Sequence, residues 1–155
     1  MIRVFEPLPA ETERFAKVAV DAAYKVHTAL GPGLLESVYE TCLAHELRKR
    51  GLAVETQIVI PVVYDGVRLE AGLRIDLLVE GQVIIEIKAV EEMNPVFKAQ
   101  VLTYLKLTDL RLGLLINFNV PLIKNGIVPS SSFVPLCLCG ESYPSTPRNF
   151  AALAS

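Results

Sequence analysis

The sequence has no tryptophan, few cysteines and almost no excess charge. Its 155 residues contain Cys42, Cys137 and Cys139, an odd number that lacks the paired spacing of a disulfide framework or a zinc site. Fifteen Lys and Arg face seventeen Asp and Glu, for a net charge of −2. A general nucleic-acid coat protein would be strongly basic, so that class is disfavoured. The cysteine usage predicts a reducing, cytoplasmic environment.

Long apolar runs are also missing. Residues 1–9 show no apolar run after a basic start, so we expect no secretory signal. The longest apolar stretches, such as 112–118, are too short to span a bilayer, so we expect no membrane contact. With 52% hydrophobic and 21% charged residues, an intrinsically disordered chain is excluded.

The apolar pattern predicts two helices, three strands, a third helix and a last strand. Helical spacing covers 12–30 and 34–50, and an Asn94-Pro95 start opens a helix that runs to 108. Period-two segments joined by tight Asp-Gly and Glu-Gly turns predict an antiparallel meander, and an almost wholly apolar strand follows. The predicted strands are 54–64, 67–79, 83–88 and 112–118. We expect one α/β domain over 1–128 and a poorly ordered Ser- and Pro-rich tail over 129–155.

Two carboxylates and a lysine are brought together by the meander. Glu86 and Lys88 share one face of their strand, and the preceding turn places Asp76 on the neighbouring strand. Such a set suits a hard divalent cation with a cationic assistant. The alternative is a salt bridge of Glu86 with Lys88 or Arg74 on a solvated sheet face.

Flanking motifs extend this pattern. Residues 33–39 fit GxxExxY through Gly33, Glu36 and Tyr39, while Gln100 and Tyr104 lie four apart on one helix face. With these motifs the chain resembles the GxxExxY protein family, a branch of the PD-(D/E)XK nuclease superfamily, over about residues 16–126. The matching pieces in chain order are Val26-His27, 30–36, Tyr39-Glu40, Gln57, Tyr64, 74–76, 86–90, Gln100, 104–107 and Asn117-Phe118.

The resemblance implies a restriction-endonuclease-like fold and metal-dependent hydrolysis of phosphodiester bonds. It implies Mg²⁺ or Mn²⁺ held by Asp76 and Glu86, with a further carboxylate from Glu36. Lys88 would orient the attacking water or stabilise the developing charge. The implied partner is nucleic acid, DNA more than RNA, and a homodimer is left open.

The resemblance also implies supporting residues. Gln100 and Tyr104 match the Gln-x-x-x-Tyr element of RecB-like nucleases, and the supporting set is completed by Tyr39, His27 and Arg74. The chain departs from the family at Phe97, where many members have histidine. It also lacks a basic segment after the last core strand.

Four other interpretations stay open. Glu36 fits a helix start, where the dipole and a capping role favour a carboxylate, and His27 fits a packed, hydrogen-bonded histidine. The whole domain could be a non-catalytic nuclease-like module that binds nucleic acid or a protein partner. It could also be a structural subunit whose charged sheet face is an ion-pair network.

Overall fold

The computed structural model describes residues 6–132, in which three α-helices pack on a five-stranded sheet. The helices are α1 (Ala10–Leu30), α2 (Glu36–Lys49) and α3 (Pro95–Thr108), and a short 3₁₀ helix spans Ile123–Asn125. The strands are β1 (Val54–Tyr64), β2 (Val67–Val79), β3 (Val83–Lys88), β4 (Leu112–Asn117) and β5 (Ile127–Ser131). No helix in this part of the chain is long and apolar enough to cross a membrane.

The sheet has the order β1-β2-β3-β4-β5. The first three strands are antiparallel neighbours, as predicted, since Asp65-Gly66 and Glu80-Gly81 all adopt the positive φ that two-residue hairpin turns require. Helix α3 connects β3 to β4, and such a crossover lets these two strands run parallel. The predicted α/β order of elements is therefore confirmed.

The sheet separates two apolar cores. On one face, α1 and α2 bury residues such as Phe15 and Leu43 against Leu77 and Ile85. On the other face, α3 packs around Ile84 and its neighbours. Every residue of β4 is buried, as expected for a central strand between two helical layers.

The chain beyond β4 differs from the prediction. Strand β5 pairs antiparallel with β4 and was not predicted, and the domain boundary placed after residue 128 falls inside it. Pro129 is tolerated there because β5 lies at the edge of the sheet. Residues 133–155, with Cys137, Cys139 and most of the predicted tail, lie outside the described residues.

Candidate active site

Asp76 lies where β2 and β3 separate. The backbone pairing of these strands runs from Val79↔Val83 to Leu77↔Ile85 and ends there. Beyond this pair, the Asp76 side chain replaces the backbone as the partner of β3. Its Oδ2 accepts the backbone N–H of Ile87 at 2.8 Å. Burial raises the pKa of Asp76, and this hydrogen bond opposes the rise. The side chain is thereby held beside Glu86, whose own pKa its charge raises.

At this point the side chains of β2 also change the core that they face. Ile75 packs in the core under α3, whereas Leu77 packs in the core under α1 and α2. Residues two apart on a regular strand share one face, so the regular alternation of side chains is interrupted between Ile75 and Leu77. Asp76 lies at this interruption, where the pairing of β2 with β3 ends.

Strand β1 is irregular at the facing position. Gln57 has φ of 54°, a left-handed conformation that is uncommon for a residue other than glycine. Its Nε2 donates to both carboxylate oxygens of Glu40, at 2.7 Å each. Burial raises the pKa of Glu40, and the negative charge of Asp76 adds to the rise. Helix α2 thus braces β1 directly across from Asp76.

Glu86 is the most constrained acid of the site. The residue is 3% exposed, its Oε1 accepts Lys88 Nζ at 3.0 Å, and its Oε2 is buried without a hydrogen-bond partner. Burial, and then the neighbouring charge of Asp76, raises the pKa of Glu86 to about 7. A buried oxygen that lacks a donor is destabilising when charged, and a cation beside it removes that cost.

Lys88 is held from two sides. Its Nζ contacts Glu86 Oε1 and lies 4.9 Å from the centre of the Phe97 ring. Burial alone would lower the pKa of Lys88, but the hydrogen bond with Glu86 and the surrounding carboxylates raise it instead. The lysine therefore stays protonated. Of the two partners considered from sequence for Glu86, Lys88 and Arg74, the structure pairs Glu86 with Lys88.

Glu36 reaches the site from the start of α2. Its Oε1 accepts the backbone N–H of Ala89, the residue after β3, at 3.3 Å. The residue before the helix, Leu35, provides no side-chain cap. The carboxylate therefore connects α2 to the end of β3, and its place in the first turn of α2 also keeps it at the positive end of the helix dipole.

Tyr39 supports this arrangement from outside the site. Its hydroxyl donates to Gly31 O at 2.6 Å and accepts the Leu34 N–H at 3.1 Å, and its ring stacks on Phe118 with centroids 4.5 Å apart. These contacts fix the loop that leads into α2. In the GxxExxY motif, Glu36 therefore reaches the site, and Tyr39 fixes the start of the helix that carries Glu36.

Gln100 and Tyr104 face the acids from α3. Gln100 Nε2 donates to the Tyr104 hydroxyl at 2.7 Å. Burial and then the charge of Glu86 raise the pKa of Tyr104, so its phenol remains a hydrogen-bond donor. One cleft of about 450 Å³ is lined by Glu36, Val59, Glu70, Gly72, Leu73, Arg74, Asp76, Glu86, Lys88, Gln100 and Tyr104.

His27 does not line this cleft. Its Nε2–H donates to Val120 O at 2.8 Å, and the residue is buried. The bond ties α1 to the segment before the 3₁₀ helix. The structure thus places His27 as a packed, hydrogen-bonded histidine, which was the alternative considered from sequence.

The donors of the cleft fit a hard divalent cation in their chemistry. Its acidic side chains offer carboxylate oxygens, which Mg²⁺ and Mn²⁺ prefer. Among residues 6–132, however, no group of three or more His, Cys, Asp and Glu is close enough to hold a metal ion. Asp76 and Glu36 each commit one oxygen to a backbone N–H. The unpartnered Glu86 Oε2 is therefore the strongest structural sign of a cation position.

Sequence reasoning assigned no role to three residues that shape the site. Glu40 lies one turn after Glu36, and Phe97 lies three residues before Gln100 on α3, so helical spacing could have indicated both. Asn117 gave a weaker signal, as a polar residue at the end of an apolar strand. It is 1% exposed, and its side chain bonds both the N–H and the C=O of Val90, at 3.1 and 2.9 Å.

Comparison with known proteins gives one match. Residues 13–128, which include every residue of the cleft, match the PD-(D/E)XK nuclease superfamily. No curated protein and no solved structure matches the chain. The mixed α/β architecture agrees with a restriction-endonuclease-like fold, and the narrower GxxExxY assignment stays a prediction. By this match and this architecture, the chain belongs to the PD-(D/E)XK nuclease superfamily.

Proposed function

We propose that the protein is a divalent-metal-dependent nuclease that hydrolyses phosphodiester bonds of nucleic acid. Membership of a nuclease superfamily supports the reaction class. The dependence on Mg²⁺ or Mn²⁺ is the finer part of the proposal.

One observation is central to it, the buried and unpartnered Oε2 of Glu86. A structural ion pair would satisfy both oxygens of such a carboxylate, because each unpaired buried acceptor is destabilising. Here one oxygen has Lys88 and the other has no donor, although Asp76 adds a second negative charge nearby. A buried cleft acid that has one oxygen without a donor and a second negative charge beside it is typical of a site that binds a cation.

The proposed roles follow from where the side chains lie. Asp76 and Glu86 hold the cation, and Glu36 adds a carboxylate from α2. The cation, when bound, lowers the pKa of a water molecule and screens the phosphate charge. Lys88 donates hydrogen bonds to the attacking water or to a phosphate oxygen. Gln100 and Tyr104, on the opposite wall, orient the phosphate.

A cleavage assay tests the proposal. Single- and double-stranded DNA and RNA are incubated with the protein and Mn²⁺ or Mg²⁺, with a chelated control. The parent should cleave at least one substrate, and Glu86→Gln should lower the rate by about 100-fold or more, as expected when a metal loses a ligand. Lys88→Ala should also abolish cleavage while the melting temperature shows a folded protein.

Glu70 provides a matched control. It lines the same cleft, but its side chain is 68% exposed and pairs with Arg68. Glu70→Gln should therefore cleave at the parental rate. A parent that cleaves nothing, or a Glu86→Gln protein as active as the parent, contradicts the proposal.

The second candidate is a non-catalytic nuclease-like module. It is favoured by the missing three-ligand group within residues 6–132 and by the contact of Lys88 with Glu86 Oε1. Such a module would bind nucleic acid or a protein partner equally well with and without divalent ions. Binding that is unchanged by chelation and by Glu86→Gln, without cleavage, supports it.

A further inference from the structure

Phe97 lies at the first turn of α3 and faces the end of β3. The centre of its ring is 4.9 Å from Lys88 Nζ, within the range of a cation–π contact. The Lys88 side chain is only 14% exposed, so the contact is largely sheltered from water. A sheltered ammonium gains more from an aromatic face than a solvated one does.

The position of the ring is fixed by its surroundings. Asn94 caps α3, with Oδ1 accepting the Val96 N–H at 3.0 Å, and the Phe97 N–H donates to Asn94 O at 3.0 Å. The segment between β3 and α3 is anchored in turn by the two bonds of Asn117 to Val90. Phe97 also packs against the apolar core under α3. The ring is therefore a rigid partner for a flexible side chain.

The other partner of Lys88 is the carboxylate that the proposed cation requires. Glu86 Oε1 holds the ammonium at 3.0 Å. A divalent ion beside Glu86 would compete for this carboxylate and repel the ammonium. Lysine has a long stem with several rotatable bonds and readily turns toward solvent. The face of an aromatic ring attracts the ammonium without using a metal-binding oxygen.

We propose that Phe97 is a positioning residue, whose aromatic face keeps the Lys88 ammonium in the cleft when Glu86 is engaged by the cation. The inference rests on the proposed nuclease function. It adds to that function a residue whose side chain can neither transfer a proton nor bind a metal. Its effect comes through Lys88, so it changes the rate of the chemical step more than the binding of substrate.

Three substitutions at position 97 separate the ring from its volume. Phe97→Leu keeps an apolar side chain but removes the aromatic face, while Phe97→Tyr and Phe97→Trp keep that face. With saturating Mn²⁺ and a substrate that the parent cleaves, Phe97→Leu should lower kcat by about 3- to 30-fold, the range of a sheltered cation–π contact. KM should stay within about 2-fold, and Tyr and Trp should restore kcat to within about 3-fold of the parent.

A second measurement does not depend on activity. The Lys88 side-chain protons next to Nζ should show an upfield ring-current shift in the NMR spectrum of the parent, assigned by its loss in Lys88→Arg. The shift should vanish in Phe97→Leu and persist in Phe97→Tyr and Phe97→Trp. Parental shifts in Phe97→Leu would overturn the contact.

Phe15 supplies the matched control. Its ring carries another cation contact, with the Arg14 guanidinium 4.7 Å from the centroid, but it lies on α1 in the opposite core. Phe15→Leu should lower the melting temperature and leave kcat unchanged at temperatures where the protein is folded.

The outcomes distinguish this inference from the function on which it rests. An inactive parent overturns the nuclease proposal, and the role of Phe97 in cleavage with it. An active parent with an equally active Phe97→Leu overturns the role of Phe97 alone. The same holds if Phe97→Tyr and Phe97→Trp, folded like the parent, lose as much kcat as Phe97→Leu, because ring volume rather than the aromatic face would then matter.

Discussion

At the scale of single residues, Glu86 combines three conditions that oppose its ionisation. It is 3% exposed, it lies beside Asp76, and one of its oxygens has no donor. Lys88 offsets part of this cost through a hydrogen bond of 3.0 Å. The remainder appears as a pKa raised to about 7. Glu86 therefore loses its proton at a higher pH than free glutamate does.

This pKa predicts how the stability of the metal-free protein depends on pH. An acid whose pKa is higher in the folded state binds more protons there, so the free energy of unfolding falls as pH rises from about 4.5 to about 7. The stabilisation is fully present below the lower value and lost above the higher one. For Glu86 the loss is on the order of 3 kcal/mol. Urea unfolding at several pH values in a chelator measures it.

Glu86→Gln isolates this contribution from those of other acids. The amide cannot ionise, so its free energy of unfolding should change less than that of the parent over this range, and the difference curve belongs to Glu86. Parallel curves for the two proteins would show that the pKa of Glu86 is not raised in the folded state.

At the scale of elements, the site depends on how α2 meets the end of β3. Glu36 makes this contact through its bond to the Ala89 N–H. Glu36→Gln keeps an oxygen acceptor for that N–H and removes the charge that repels Asp76 and Glu86. The free energy of unfolding should therefore stay within about 0.5 kcal/mol of the parent, while Mn²⁺ affinity falls by about 10-fold. Calorimetric titration and urea unfolding measure the two effects.

Glu36→Ala is the companion variant. It loses the hydrogen bond as well as the charge, so its stability should fall by about 0.5–1.5 kcal/mol. If Glu36→Gln binds Mn²⁺ like the parent, the carboxylate only joins α2 to β3, and Asp76 and Glu86 remain as the proposed ligands.

The contact between α3 and β4 positions the wall of the cleft that carries Gln100 and Tyr104 and faces the acids. A Cβ on Gly113 would lie 2.6 Å from Val101 Cγ1, closer than side chains tolerate. Gly113→Ala should therefore destabilise the protein by about 1–3 kcal/mol, as overpacking does. It should also displace α3 and with it Gln100 and Tyr104. Thermal unfolding together with cleavage rates measures both effects.

A second change tests the cause. Val101→Ala removes the methyl group that the new Cβ would meet, so Gly113→Ala should cost less in this background than in the parent. Additive effects of the two substitutions would mean that the clash with Val101 is not the reason for the loss.

The elements were predictable wherever local chemistry decides them. The bounds of β1, β2 and β3 follow from alternation and from the Asp65-Gly66 and Glu80-Gly81 turns, and α3 follows from Asn94-Pro95. Strand β5 was missed because Pro129 and the serines around it have low strand propensity, and pairing with β4 overrides it.

The site itself was predictable only in part. Sequence placed Asp76 near Glu86 through hairpin geometry, but the reversal of β2 between Ile75 and Leu77 breaks the alternation that sequence reasoning uses. Phe97 was noted only as a departure from the family, in which many members have histidine, whereas its ring contacts Lys88. Such contacts depend on side-chain directions across elements, which spacing within one element does not specify.

At the scale of the whole molecule, the proposed ligands belong to elements that are held together by different cores. Asp76 comes from β2, Glu86 from β3 and Glu36 from α2. Helix α2 belongs to the core that it shares with α1, whereas the side of Glu86 faces α3, as its neighbour Ile84 does. A cation that binds all three acids would therefore connect the two helical layers through the sheet.

Metal binding should consequently stabilise the entire fold. Unfolding separates β2, β3 and α2, so a cation with no affinity for the unfolded chain adds about 2.7 kcal/mol when it is present at a hundred times its dissociation constant. For a domain of this size we expect Mn²⁺ to raise the melting temperature by about 5–10 °C. The increase should be greatest at pH values near and above 7, where Glu86 is ionised and free to bind. Asp76→Asn and Glu86→Gln should each lose most of it, Glu70→Gln should keep it, and NaCl of equal ionic strength should not reproduce it. A melting temperature that Mn²⁺ leaves unchanged, together with no heat of binding, would mean that these acids hold no cation and that the Glu86–Lys88 pair is a structural salt bridge.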